Sequence, residues 1–482
     1  MRGRSDPPRR RWTVLSAGGS TGGLAIDDAG RAALGRRGWS LDWEVSAGGH
    51  RYAPGASVTL RQRTRGAGEG APVAIETVLR AGEGDVCLRS YVAVPAGGGG
   101  AVGVLEFANQ TSAPVALTLT VRSGDYWRPD GLGLVELDES GILANGSRAL
   151  WWLRPPRAQQ AAADASEVVS PPELPTAAAT APQRARSRNG RAVATASWPV
   201  THGGALRVLL PLTIADGSAT APAAVPTLDQ VGRGWDLHTA SGLRLSGLAE
   251  GLLEALVADA VRRLLALDVG PDAAAGPDGR LTPPERALAA AALAGAGHPQ
   301  RAAEVAPARA ARSPTAAARL ARRELARITA PYGDAATAVR EMADTAGAGG
   351  SWAGERTGDD PSRRAAFLLA VRETLVREDD GCLDLLGGLD APEARQSIEV
   401  HRLGTGHGFL SFAVRWHNAV PALLWELAPP GTRLESWACA LVGAVGAAGA
   451  GTGGGAGPTL RASRLSAGWS TTERAGEALL GT

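Results

Sequence analysis

The sequence predicts an α+β multidomain chain in three parts: an N-terminal β-sandwich over residues 1–226, about six helices over 235–380, and a small C-terminal β-sheet domain over 381–482. Two observations carry this. Apolar residues follow a period of two up to about Ala249, a period of 3.6 from there, and a period of two again after Gly381. The clearest strand pattern, SIEVHRLGTGHGFLSFAVRWHNAVPALLWEL, comes after the helices. In it Leu410, Phe412, Val414 and Trp416 fall on one face, with Ser411, Ala413 and Arg415 on the other. Ile398 and Val400 before it and Leu423, Trp425 and Leu427 after it make three antiparallel strands.

From Trp12 to about Leu153 short strand-like segments are separated by Gly, Pro and Asn, the punctuation of a sandwich. VGVLEF and VALTLTVR, joined by Ala-Asn-Gln-Thr-Ser-Ala-Pro, read as a hairpin. Residues 155–190 are polar and dotted with proline, too poor in large apolar groups to offset backbone ordering, and read as a disordered excursion. Ala205–Leu212 returns to the sandwich. Ala249–Asp268 is the clearest helix, with Leu252, Leu256, Ala260 and Leu264 on one stripe and Glu254, Asp259, Arg262 and Arg263 facing outward. Further helices are expected over Pro284–Ala294, His298–Ala311, Pro314–Thr329, Asp334–Ala346 and Pro361–Glu378. Thr282 and prolines open the first of these, Ser313 caps the third, and Asp360 with Pro361 starts the last.

Charge and composition narrow the function. The 50 basic residues are all arginine and nearly balance 48 acidic ones, for a net charge of +2. Apart from Arg9–Arg11 there is no basic footprint for nucleic acid. Without lysine there is no Walker-A clamp, Schiff-base chemistry or kinase β3 lysine. No segment is apolar over the 18 or so residues needed to span a bilayer, Ala438–Ala450 included, so no membrane partner is expected. Three widely spaced cysteines, Cys87, Cys382 and Cys439, argue against a disulfide framework and for a reducing cytoplasm. No cofactor is expected.

The segments WSLDWEV, IETVLRAGEGDVCLRSYVAV, VLEFANQTSAPVALTL, GWDLHTASGLRLS, LSFAVRWHNAVPALLWEL and WSTTERAGEALL, in their β, α, β order, resemble the six-hairpin, or (α/α)-toroid, glycosidase-like superfamily. They are most similar in look to actinobacterial proteins of that build. The resemblance implies a sandwich, a helical toroid and a small C-terminal sheet, with carbohydrate as ligand. A complete ring of helix pairs would need on the order of 250–400 residues. Residues 235–380 give room for about half of that, so the toroid is expected to be incomplete.

Glycoside hydrolysis uses two carboxyl groups about 5–10 Å apart, one to protonate the leaving oxygen and one to activate water or attack carbon. The helical region offers Glu341, Asp344, Glu355, Asp359, Asp360 and Glu373. In the loop GAGGSWAGERTGDDP, Trp352 is placed to stack on a sugar face, and Glu355 three residues on is the candidate catalytic acid. Asp360 is already explained as a helix cap. Arg415, Trp416 and His417 at a strand end are candidate binding residues lining a cleft. His401, His407 and His417 with Glu399 invite a metal reading, but two of the histidines fall in connections and need not converge, so no metal is expected. There is no Gly-x-Ser-x-Gly elbow, and the run GTGGGAG lacks the Lys-Ser/Thr pair of a phosphate loop.

The leading expectation is a degenerate glycosidase-like scaffold that binds a carbohydrate or a partner. An active glycoside hydrolase, and a structural or interaction protein, are the alternatives. The oligomeric state is not encoded in any of these features.

Overall fold

The fold is that of a computed structural model, which describes residues 12–17, 23–34, 38–55, 59–66, 72–96, 100–124, 131–168, 183–248, 252–267, 281–308, 312–346, 360–379, 381–389, 396–418, 420–446 and 458–480. It is an α+β multidomain chain with eight α-helices among the described residues and sheets that are antiparallel but for one strand pair.

The N-terminal half is a sandwich of an eight-stranded and a nine-stranded sheet. Trp43, Leu88, Phe107, Leu119, Leu150 and Trp198 are buried between them. Val102–Asn109 and Val115–Ser123, expected to form a hairpin, instead pair in different sheets, the first with Gly84–Ala93 and Ala205–Pro211, the second with Trp39–Ala47 and Val193–Val200. The link is therefore an arch. Asn109 fixes its corner: the side-chain amide donates to the carbonyls of Ala113 (2.8 Å) and Val200 (3.0 Å), and its oxygen accepts from the backbone N–H (2.9 Å) and hydroxyl (2.8 Å) of Thr111. The expected excursion over 155–190 is corrected at both ends. Ala158–Ala162 pairs with Val193–Val200, and Arg184–Arg186 with Leu134–Leu137. Edge strands are held by backbone hydrogen bonds, so these small and polar segments do not need large apolar side chains. Residues 169–182 lie outside the described residues.

The outer face of the nine-stranded sheet carries a row of alternating charges in direct register, Arg63–Glu76–Arg89–Glu106–Arg207, across five neighbouring strands. Beside it runs an apolar row, Ala74, Tyr91, Val104, Leu209 and Trp151. The connector leaving the sandwich covers that row with Ala219, Ala221 and Val225.

The helices are α1 (Leu228–Ala240), α2 (Leu252–Leu265), α3 (Pro283–Gly295), α4 (Pro299–Val305), α5 (Pro314–Thr329), α6 (Ala335–Asp344), α7 (Pro361–Leu375) and α8 (Arg433–Gly446). α3 is buried without a break from Ala287 to Gly295 and packs against α4, α5, α7 and α8. Its alanines let those neighbours approach closely from every side. α7 ends at Leu375, because Val376–Asp379 leaves as a strand pairing with Cys382–Leu385. Two helices were not expected. α1 is polar and carries Gly232 and Gly234, and α8 replaces part of what reads as an all-β C-terminal region.

Ile398–Thr405, Gly408–His417 and Val420–Ala428 form the expected three-stranded meander. Ala475–Leu479 extends it at one edge, and Arg244–Ser246, from between α1 and α2, at the other. Its inner face shares one apolar core with the helices, where Phe367, Leu410, Val414, Leu423 and Leu441 meet. Among the described residues no helix is long and apolar enough to cross a membrane.

Candidate functional site: a groove between sandwich and helices

A groove of about 520 Å³ lies where the sandwich meets α1. One wall is the end of a sheet strand, with Val92, Ala93, Val94 and Ala96; Ala17 from the N-terminal segment and Ala224–Pro226 of the connector flank it. The floor is one face of α1, carrying Gln230, Val231, Gly234, Trp235 and His238.

Local sequence sets each part. The Tyr91 hydroxyl donates to the Pro226 carbonyl at 3.3 Å, pinning the connector to the sheet. Thr227 then starts α1 with a capping box: its hydroxyl accepts from the Gln230 N–H (3.3 Å), and the Gln230 side-chain oxygen accepts from the Thr227 N–H (2.8 Å). At the other end Arg262 of α2 donates to Asp236 at 3.0 Å, joining the two helices.

His238 closes one end of the groove. Its ring lies 6.1 Å from Trp235 and 5.7 Å from His298, centroid to centroid. Burial, then the charge of Arg301, holds the His238 imidazole below its ordinary range. His298 is more deeply enclosed. Burial, with His238 and Arg402 adding to it, pushes its pKa down to about 4, and among the described residues its Nε2 is buried without a hydrogen-bond partner. Nε2 faces Gly242, where a Cβ would stand 2.2 Å away, so only glycine fits. Arg402, at a bulge and with φ of 57°, lies over the Phe409 ring at 4.4 Å and donates to Glu435 at 3.2 Å.

A second polar constellation joins the end of α7 to the sheet. Arg372 donates to the Gly404 carbonyl at 2.9 Å and to Glu378. Glu378 also accepts from the Gly406 N–H at 2.8 Å and lies 3.9 Å from His407 Nε2. Glu373 stands 3.8 Å from Arg372 and 3.8 Å from Arg377, and burial raises its carboxyl above the usual range. Glu378 is thus held in a buried ion pair with Arg372, while burial shifts Glu373 upward despite the two arginines beside it.

The residues expected at the site fall in different places. Trp352, Glu355 and Asp359 lie outside the described residues. Glu341 and Asp344 are exposed on α6. Asp360 accepts from the N–H groups of Ser362 and Arg363, as a cap should. Arg415 and Trp416 do not converge. Arg415 points to the open face of the sheet and pairs with Glu399 at 3.4 Å, whereas Trp416 turns toward the helices and donates to the Gln396 carbonyl at 3.2 Å. His417 is exposed on the same face as Arg415. His401 meets the Ser411 hydroxyl at 3.4 Å, and His407 sits in the turn beside Glu378.

Sequence reasoning missed Gln230, His238 and His298. The signals available were Thr227 and Gln230 at capping-box spacing and Trp235 and His238 at i, i+3 of a helix.

No protein-family model and no curated protein matches the chain. Among solved structures it is similar to a bacterial glucoamylase complexed with acarbose, at 11% identity and a TM-score of 0.43, over 80% of this chain and 72% of that one. It is also similar to a GH92-family glycosyl hydrolase, CcMan5, at 10% identity and a TM-score of 0.32, over 54% of this chain and 37% of that one.

Proposed function

We propose that the chain is a degenerate glycosidase-like scaffold, an incomplete (α/α) toroid between β domains, that works as a carbohydrate-binding protein through the groove at α1. The observation that carries this reading is the groove itself. Its volume of about 520 Å³ is within the range of small-ligand sites. Its walls are apolar, and Gln230, Trp235 and His238 supply the polar and aromatic groups that orient a ligand. Sugar rings present an apolar face and a rim of hydroxyls, which match such a surface. The resemblance of the scattered sandwich and sheet segments supports the choice of ligand class.

Isothermal titration with a panel of oligosaccharides is the test. Binding without turnover, weakened in His238→Leu, is the expected result. Absence of binding across the panel would remove the reading.

Glu373 and Glu378 favour a second reading, catalysis, because two carboxyl groups near one arginine, one in a buried ion pair and the other shifted upward by burial, are the kind of groups acid–base chemistry uses. Hydrolysis of an oligosaccharide that is lost in Glu373→Gln would establish it. If turnover persists in Glu373→Gln but is lost in Glu355→Gln, the acid is in the loop with Trp352 instead.

A further inference from the structure

Among the described residues, no contact requires glycine at position 234. Gly234 lies in the interior of α1, where glycine is disfavoured relative to alanine. Its φ is not in the left-handed region, and a Cβ built on it meets no atom of the described residues within 4 Å. That open space belongs to the groove, because Gly234 is one of its lining residues. Gln230 and His238 stand four residues to either side, on the same helix face. They are about 12 Å apart along the axis, with bare backbone between them.

Among the described residues, the lining is also uncharged. In a chain where 20% of residues are Asp, Glu, Arg or Lys, none of the thirteen groove residues is one of these. Its single titratable group among the described residues, His238, lies against the His298 ring and feels the charges of Arg301 and Glu304 of α4. A charged ligand seated along these walls would lie beside apolar groups with no charged lining residue to pair with, so it would lose part of its hydration without an ion pair in return. A neutral ligand meets no such penalty. The Gln230 side-chain oxygen is occupied by the helix cap, which leaves its NH₂ as the donor at one end. At the other end a neutral imidazole has one donor and one acceptor.

Resting on the groove as the carbohydrate site, we propose that it selects neutral over charged saccharides, and that Gly234 sets the width it admits by letting a sugar ring lie against the helix backbone between Gln230 and His238.

The test uses the full chain and isothermal titration with matched ligands: neutral oligosaccharides, their uronic-acid counterparts and their amino-sugar counterparts. Each is run against the native protein, Gly234→Ala and Gly234→Leu. Thermal unfolding reports whether each variant folds. Both should be at least as stable as the native chain, since they improve helix propensity and project into open space. The expected result is binding of a neutral ligand, at least about tenfold weaker binding of both charged counterparts, and loss of binding in Gly234→Leu with its unfolding midpoint kept. Equal affinity for charged and neutral ligands, with binding still lost in Gly234→Leu, would overturn the neutral selection and leave the groove as the site. Full binding in a folded Gly234→Leu would place the ligand elsewhere and overturn both. No binding of any ligand to the native chain would also overturn both.

Discussion

Glu76 lies directly opposite Arg89 on the neighbouring strand and accepts a hydrogen bond of 3.3 Å from its Nε, while Arg63 binds it from the other side at 2.6 Å. Glu76 is 2% exposed, so it is a buried carboxylate held between Arg63 and Arg89 in the charge row. Removing one partner from a buried ion pair leaves the other uncompensated. Glu76→Ala should therefore destabilise the chain by about 2–4 kcal/mol, seen as a lower urea midpoint with unchanged slope. Arg63 is largely exposed, so Arg63→Met should cost less than about 1 kcal/mol. Equal losses would show that the row does not work through burial of Glu76.

Asn109 makes four hydrogen bonds at the arch between the two sheets. Asn109→Ala leaves the Ala113 and Val200 carbonyls without that donor and should cost about 2–4 kcal/mol. Asn109→Asp keeps the acceptor for Thr111 but faces two carbonyls with a charge, so it should be no better tolerated. Chemical denaturation of both variants decides this.

His298 links stability to pH. Its folded pKa, about 4, is below the ordinary histidine value of 6.5. Between those values the unfolded chain binds more protons, so folding stability falls as pH drops through that window and the loss is complete below about pH 4. The neighbours that face it, His238 and Arg402, add positive charge. The shift corresponds to on the order of 3 kcal/mol. Urea midpoints measured from pH 7 to pH 4 should fall more steeply in the native chain than in His298→Gln. Parallel curves would refute the assignment.

The cysteines should separate by reactivity. Burial pushes the Cys439 thiol up to about 12, and Cys87 is equally buried. Cys382 is half-buried, and its thiol is raised less. Iodoacetamide at pH 8 should label Cys382 first in the native chain and the other two only after unfolding, as read by peptide mass spectrometry. Early labelling of Cys439 would mean that α8 opens.

Where local rules act, the sequence was legible. Thr282, Ser313 and Asp360 cap the helices they were expected to cap, and the faces of Leu410–Trp416 came out as alternation requires. The arch was not legible, because alternation says which face a residue takes and nothing about which strand it pairs with. α1 escaped notice because its groove face is not packed: Trp235 is its one buried residue, so the apolar stripe that marks other helices is missing. The groove draws on Ala17, Val92–Val94, Ala224–Pro226 and α1, segments far apart in the chain, and no local pattern announces their meeting. The same holds for Glu378, whose partners Arg372 and Gly406 come from a helix and a distant turn.

The short strand Arg244–Ser246 sets a schedule for biosynthesis. Leu245 pairs with Val400, about 150 residues later. At synthesis rates of about 5–20 residues per second, the ribosome needs roughly 10–30 s to deliver that partner. During this interval the strand has no ladder, and the apolar faces of α2, α3 and α7 have no sheet to cover them. The nascent chain is thus most in need of chaperone shelter while its middle third is emerging, after the sandwich has been made and before the sheet that closes the helices exists.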